Sequence, residues 1–173
     1  ISPKDFYYLD LYREFMGLVK EYDISPAGLK LEITESAVIM DVPKQAALIE
    51  KLQAEGFIVE MDDFGSGYSS LNTLKDIPVD ILKLDMKFME KSKNTKRSAD
   101  IVQMVVAMAD KLGMPVIAEG VETKEQADFL GRIGCDIIQG YYYAKPMSME
   151  EFEQLLNKYP YRDIVQKGIG NDI

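Results

Sequence analysis

Histidine is absent from the 173 residues, tryptophan is absent too, and cysteine occurs once. Without histidine the chain has no Ser-His-Asp or Cys-His nucleophilic pair and no His-rich zinc site, so any chemistry falls to carboxylates, lysine and amides. The single cysteine, Cys135, stands in the apolar setting Ile133-Gly134-Cys135-Asp136-Ile137-Ile138 and reads as a reduced, buried structural residue of a cytosolic protein. As a catalytic thiol it would lack a histidine to activate it. No apolar run approaches the ~18 residues of a membrane span, and no signal peptide leads the chain, so a soluble, cytoplasmic domain is expected. A segment outside this sequence could still tether the parent protein to a membrane. Basic runs are missing as well, and the net charge is −9, which argues against a nucleic-acid polymer held by phosphate contacts alone. A phosphate-bearing ligand would need a metal to bridge it.

What is present centres on Met61-Asp62-Asp63-Phe64-Gly65-Ser66-Gly67-Tyr68-Ser69-Ser70, behind the apolar run from Phe57 to Val59. Adjacent carboxylates at the mouth of a strand raise each other's pKa unless a cation sits between them, and a divalent metal is the usual answer. Gly65 and Gly67 allow a close backbone approach, and Tyr68, Ser69 and Ser70 supply hydroxyls. The competing reading is an Asp-Asp helix cap with a glycine turn.

The length suits one domain. Apolar residues at helical spacing predict a first helix over most of Pro3 to Tyr22, and the alternation Leu29-Lys30-Leu31-Glu32-Ile33-Thr34 predicts a strand with Lys30, Glu32 and Thr34 on one face. A second helix carries Ala46, Leu48, Ile49 and Leu52 and ends at Gly56. The strand Phe57 to Met61 then delivers Asp62 and Asp63, a short helix starts at Leu71, and Val79 to Asp85 forms the next strand, with Lys83 and Asp85 opposite Leu82 and Leu84. A long helix spans Asn94 to Leu112 with Ile101, Met104, Val105 and Met108 as its stripe. Pro115 to Ala118, ending in Glu119-Gly120-Val121-Glu122-Thr123, and Ile137 to Tyr143 are the last strands, and the last helix runs from Met149 to Tyr159.

Five strands therefore alternate with helices, an α/β pattern that places Glu32, Asp62, Asp63, Lys83, Glu119 and Gln139 at or near successive strand ends. Parallel α/β folds build their sites at that edge. An open doubly wound sheet and part of a (β/α)8 barrel both fit; convergence from all five strands favours the ring, although 173 residues are short for it. Glu32, Asp62 and Asp63 offer hard oxygen ligands for Mg²⁺ or Mn²⁺, and Glu119 and Gln139 could complete a second ion's shell or hold its water. Two such ions are a usual device for phosphodiester cleavage, with Lys83 neutralising charge or orienting water and Glu119 as general base. Against this, Lys83 could be a plain interior ion pair and Glu119-Gly120 a helix cap. Glu35 and Glu122 fit loop orientation better than metal binding, and Tyr141, Tyr142 and Tyr143 fit packing better than base stacking.

Leu31-Glu32-Ile33-Thr34-Glu35-Ser36, Asp62-Asp63-Phe64-Gly65-Ser66-Gly67-Tyr68-Ser69-Ser70, Leu82-Lys83-Leu84-Asp85, Ala118-Glu119-Gly120-Val121-Glu122-Thr123 and Gln139-Gly140-Tyr141 resemble the EAL domain, the bacterial cyclic di-GMP phosphodiesterase. The resemblance implies a TIM-like (β/α) barrel whose first strand is antiparallel, and hydrolysis of cyclic di-GMP to linear pGpG with two Mg²⁺ or Mn²⁺ ions and inhibition by Ca²⁺. It makes Glu32, Asp62, Asp63 and Glu119 metal ligands, with Asp62 bridging, Lys83 and Glu119 the catalytic pair, and Gln139 the amide that positions water or substrate. Glu35 is expected to anchor the loop from Phe64 to Ser70, which the family also uses to form a homodimer, with Glu122 in a similar role. An upstream sensory or GGDEF domain is a further expectation.

The Glu-Ala-Leu tripeptide, its nearby arginine and the asparagine that precedes the Ile1-Ser2 equivalent are not in this sequence, and the chain begins at Ile1 without an initiator methionine. Residues 1–173 are accordingly expected to be the C-terminal portion of an EAL domain that lacks its first strands, inactive by itself although its parent is active. The rivals are a non-catalytic cyclic di-GMP receptor or dimerisation module, which the intact acidic set disfavours, and a Schiff-base aldolase using Lys83, for which no apolar pocket signal exists.

Overall fold

The computed structural model describes residues 1–65, 71–86, 95–135 and 137–158. Ser66 to Ser70 of the acidic loop, and the tail after Lys158, lie outside the described residues.

Chain entry departs from the single expected helix. Helix α1 (Pro3–Tyr8) is capped by Ser2, whose N–H and hydroxyl both donate to the Asp5 carboxylate at 2.7 and 2.9 Å. Helix α2 (Leu11–Glu21) starts afresh, because Asp10 accepts a hydrogen bond from the Arg13 N–H at 3.1 Å and Leu9 between them is extended. An aspartate inside an apolar periodicity acts here as a cap and divides the helix.

A short 3-10 turn at Pro26–Gly28 leads into strand β1 (Lys30–Thr34), followed by one helical turn α3 (Glu35–Val38) and helix α4 (Val42–Ala54), which Gly56 ends at φ +95°. Strand β2 (Ile58–Phe64), helix α5 (Leu71–Asp76), strand β3 (Ile81–Asp85), helix α6 (Thr95–Lys111) and strand β4 (Val116–Glu119) continue the alternation. Helix α7 (Lys124–Arg132) opens on the Thr123/Gln126 capping box, strand β5 is only Ile137–Ile138, and helix α8 (Met149–Lys158) closes the described chain.

All four strand pairings are parallel and the order is β1-β2-β3-β4-β5. Consecutive order with no reversal is the arrangement of a barrel arc, since a doubly wound sheet reverses at a switch point. Among the described residues β1 and β5 do not pair, so the sheet is open. Ile1 lies along the free edge of β1: its amino group donates to the Glu32 carbonyl at 2.5 Å and its carbonyl accepts from the Thr34 N–H at 3.3 Å.

One face of the sheet is the core. Ile33, Val59, Met61, Leu82 and Ala118 are fully buried against the helices. On α6 the buried positions are Ser98, Val102, Val106 and Ala109, whereas Ile101 and Met104 are exposed. The expected stripe is thus half right: Val105 and Met108 are half-buried and pack against the core, but the fully buried row is the neighbouring one of smaller side chains. The last strand is also shorter than expected, since Gly140 to Tyr143 form a turn in which the Tyr143 N–H donates to the Gly140 carbonyl at 3.0 Å.

Candidate active site

Register fixes which side chains meet on the other face. Glu32 is aligned with Glu60, Thr34 with Asp62, Lys83 with Ile117, and Asp85 with Glu119. Because side chains alternate, Lys30, Glu32, Glu60, Asp62, Lys83 and Glu119 all belong to the face away from the helices. The alternation survives a bulge. Met61 is opposite Leu82 but Phe64 is opposite Leu84, so β2 carries an extra residue against β3. Asp63 absorbs it with φ +58°, a left-handed conformation that aspartate tolerates better than most residues. Its own N–H donates to Asp62 Oδ1 at 3.0 Å. The result keeps Asp62 on the site face and returns Phe64 to the core, where it is buried.

Lys83 is the centre of the arrangement. Its Nζ lies 2.5 Å from Glu32 Oε1, 3.0 Å from Glu119 Oε1 and 3.3 Å from Asp62 Oδ1. These carboxylates come from three different strands, and the lysine side chain between them is only 7% exposed. Burial alone would push the ammonium pKa down; the hydrogen bonds to Glu32 and Glu119, with the charges of Glu119 and Asp62, outweigh it and hold it above the ordinary lysine range. For Glu119, burial pushes the carboxyl pKa up, Lys83 pulls it back, and the nearby charges of Asp62 and Glu32 add to the rise.

The remaining expected residues stand apart from this cluster. Asp63 is exposed, and its carboxylate makes no ion pair among the described residues. Gln139 is exposed at the end of β5; its main chain, donating to the Ala118 carbonyl at 2.8 Å and accepting from the Val121 N–H at 3.2 Å, ties it to the Glu119 loop. Glu35 is buried at the start of α3, and among the described residues neither of its carboxylate oxygens has a hydrogen-bond partner. The loop it is expected to anchor lies largely outside the described residues. Glu122 is exposed, and its N–H is the group that ties the turn, donating to Gln126 Oε1 at 2.8 Å.

Sequence reasoning passed over two features. Glu60, buried on the site face, pairs with Lys30 Nζ at 2.9 Å; its phase, two residues before Asp62, was the available signal. Gly140 is sterically required, because a Cβ there would lie 2.0 Å from the Val121 carbonyl oxygen.

A divalent ion can be tested against these donors. Glu32, Asp62, Asp63 and Glu119 offer only hard carboxylate oxygens, the chemistry Mg²⁺ and Mn²⁺ prefer, and three of them already converge on one cation, the Lys83 ammonium. Among the described residues no three acidic or sulfur ligands are gathered as a preformed metal nest. The donor set therefore fits a hard divalent ion in chemistry, while in this structure the lysine organises it.

Comparison with known proteins agrees with the geometry. The family model described as the EAL domain matches residues 1–146. The chain is 36% identical over 149 residues to the cyclic di-GMP phosphodiesterase NbdA of Pseudomonas aeruginosa, covering 86% of this chain but 19% of NbdA. The solved Pseudomonas aeruginosa MucR phosphodiesterase in complex with cyclic di-GMP superposes with a TM-score of 0.81 at 36% identity, over 88% of this chain and 62% of that one. The manganese and cyclic di-GMP complex of Klebsiella pneumoniae BlrP1 gives 0.75 at 30% identity, over 84% and 38%. The chain thus spans about a fifth of the length of such a curated relative.

Proposed function

This chain belongs to the EAL domain family, and from that premise we propose that its charged sheet face is the metal-dependent site of a phosphodiesterase that opens cyclic di-GMP to linear pGpG. The observation that carries the reading is Lys83, buried and held by one carboxylate from each of three strands. An interior ion pair built for stability alone would need one partner; three acidic groups on one ammonium leave an excess of negative charge suited to divalent cations.

In this reading Glu32, Asp62, Asp63 and Glu119 hold two Mg²⁺ or Mn²⁺ ions, and Ca²⁺ inhibits. Bound divalent ions supply charge stabilisation to the phosphoryl oxygens and acidify the attacking water. Glu119, with its raised pKa, accepts the proton of that water on a carboxylate oxygen. Lys83, which stays protonated, balances the charge that builds on the phosphoryl group and on the leaving ribose oxygen. Gln139, fixed through its main chain to the Glu119 loop, orients substrate or water. Glu35 and Glu122 keep the acidic loop in place.

The substrate is supported by the names of the relatives, and the ions by the BlrP1 manganese complex. A homodimer is supported by the exposed apolar row of Ile101, Met104 and Leu112 on and just beyond α6. An upstream cyclase-type (GGDEF) or sensory domain is supported by the bifunctional cyclase and phosphodiesterase MucR among the relatives. Among the described residues no helix is long and apolar enough to cross a membrane.

The test is hydrolysis of cyclic di-GMP in Mn²⁺, followed as pGpG by chromatography, on this chain and on a version extended upstream, each with and without Glu119→Gln. Turnover that Glu119→Gln abolishes supports the reading. Binding without turnover in both replaces it with a receptor.

A further inference from the structure

We propose that Lys30 and Glu60 form a second ion pair of this face that positions Lys83. By neutralising Glu60, Lys30 leaves the Lys83 ammonium to Glu32, Asp62 and Glu119.

Glu60 is an unusual group for its place. It is 3% exposed, and it is aligned with Glu32 on the neighbouring strand, where strands run roughly 5 Å apart. Two carboxylates on one face at that spacing repel unless each has its own cation. Among the described residues no contact to Glu60 Oε1 has the alignment of a hydrogen bond. What compensates it is charge: Lys30 Nζ, 2.9 Å away, the one described cation within ion-pair distance. Glu32 has Lys83 at 2.5 Å. The two acids therefore divide the two lysines between them. If Lys30 loses its charge, Glu60 becomes a buried anion without a partner, and the nearest remedy on the same face is the Lys83 ammonium. Drawing that ammonium toward Glu60 removes it from the groups that surround it now. Lys30 is half-exposed and touches none of the three carboxylates around Lys83, so it acts through Glu60 and is a positioning residue.

The pair rests on the phosphodiesterase reading only for its catalytic consequence, and the test separates the two. The first readout is the Lys83 side-chain methylene resonance in the metal-free full-length protein, assigned with Lys83→Arg. The second is Mn²⁺ affinity and cyclic di-GMP turnover. Lys30→Met should displace the Lys83 resonance and lower Mn²⁺ affinity or kcat about tenfold, the lower end of what removing an outer-shell partner costs, with KM little changed. Lys30→Arg and Glu60→Gln should each resemble wild type. In the double variant Lys30→Met/Glu60→Gln, with no buried charge left to compensate, the resonance and the affinity should return. The proposal is overturned if the double variant stays as impaired as Lys30→Met, if Glu60→Gln is itself that impaired, or if Lys30→Met changes nothing. Should Lys30→Met not fold, the comparison moves to the Glu60→Gln background, where adding Lys30→Met must be silent. A wild type that leaves cyclic di-GMP intact refutes the phosphodiesterase reading, and the resonance still decides the pair.

Discussion

The two faces of one sheet are built by opposite rules. Toward the helices, Ile33, Val59, Met61 and Leu82 are each 0% exposed and belong to one apolar core cluster. Toward the other face, the positions that alternate with them carry Glu32, Glu60, Asp62 and Lys83. Burying apolar surface stabilises at roughly 25 cal/mol per Å², whereas around a buried lysine the cost of taking charges out of water offsets much of what the ion pairs contribute. The first face holds the arc together and the second is maintained against its own repulsion. Substitutions should therefore split cleanly into those that unfold and those that only disarm.

The widest split is expected at Glu119. Glu119→Gln keeps shape and a hydrogen-bond acceptor but removes the base, so cyclic di-GMP turnover should fall by about 10²- to 10⁴-fold while the thermal midpoint does not drop. The mirror experiment is Leu82→Ala, one strand position before Lys83. It should cost about 3 kcal/mol of stability by leaving a cavity, read as a lower denaturant midpoint, with turnover per folded molecule within about twofold of wild type. A Leu82→Ala protein that is stable but inactive would show that the faces are coupled through the strand.

How far this division was legible beforehand differs by face. The alternation Leu29 to Thr34 placed Glu32 opposite Leu31 and Ile33, and the strand ends placed Lys83 and Glu119, because those positions follow from a period of two within one strand. Glu60 is not legible in this way, since it directly follows the apolar run from Phe57 to Val59 and only the register with Glu32 shows what it faces. The stripe on α6 is half legible for a related reason: Val105 and Met108 do pack against the core, but two apolar rows satisfy the helical period, and the sheet, not the helix, selects Val102, Val106 and Ala109 for full burial. The break at Leu9 and Asp10 and the early end of β5 likewise depend on one cap and one contact, each outside the reach of hydrophobic periodicity.

Gly140 sharpens the comparison where the faces meet. Its α-carbon packs so closely on Val121 that an added Cβ would fall 2.0 Å from the carbonyl oxygen and 2.4 Å from the amide nitrogen. Both atoms are backbone, so neither can swing aside. Gly140→Ala should destabilise by about 2 kcal/mol or more and, by shifting the turn that carries Gln139, reduce turnover as well. It is the one substitution here expected to lower both readouts, and a loss confined to stability would remove Gln139 from the reaction.

The smallest effect is the pH dependence of the disarmed variant. The folded-state pKa of Glu119 lies above its unfolded value of 4.5, so folding favours the protonated carboxyl. Its stabilising contribution is present below pH ~4.5 and is lost as pH rises through the folded-state pKa; beyond that the charge costs stability. Glu119→Gln escapes this cost. Without metal the variant should melt slightly above wild type at pH 7, and the difference should shrink as the pH is lowered toward 4.5. Lys83 does not blur the comparison: its pKa is raised from 10.5, so its contribution is complete throughout the acid and neutral range and fades only as pH rises through the folded-state value. Melting below wild type at pH 7 would mean that the 3.0 Å contact with Lys83 outweighs the burial of Glu119. The charged face would then be holding the sheet together as well as the apolar one.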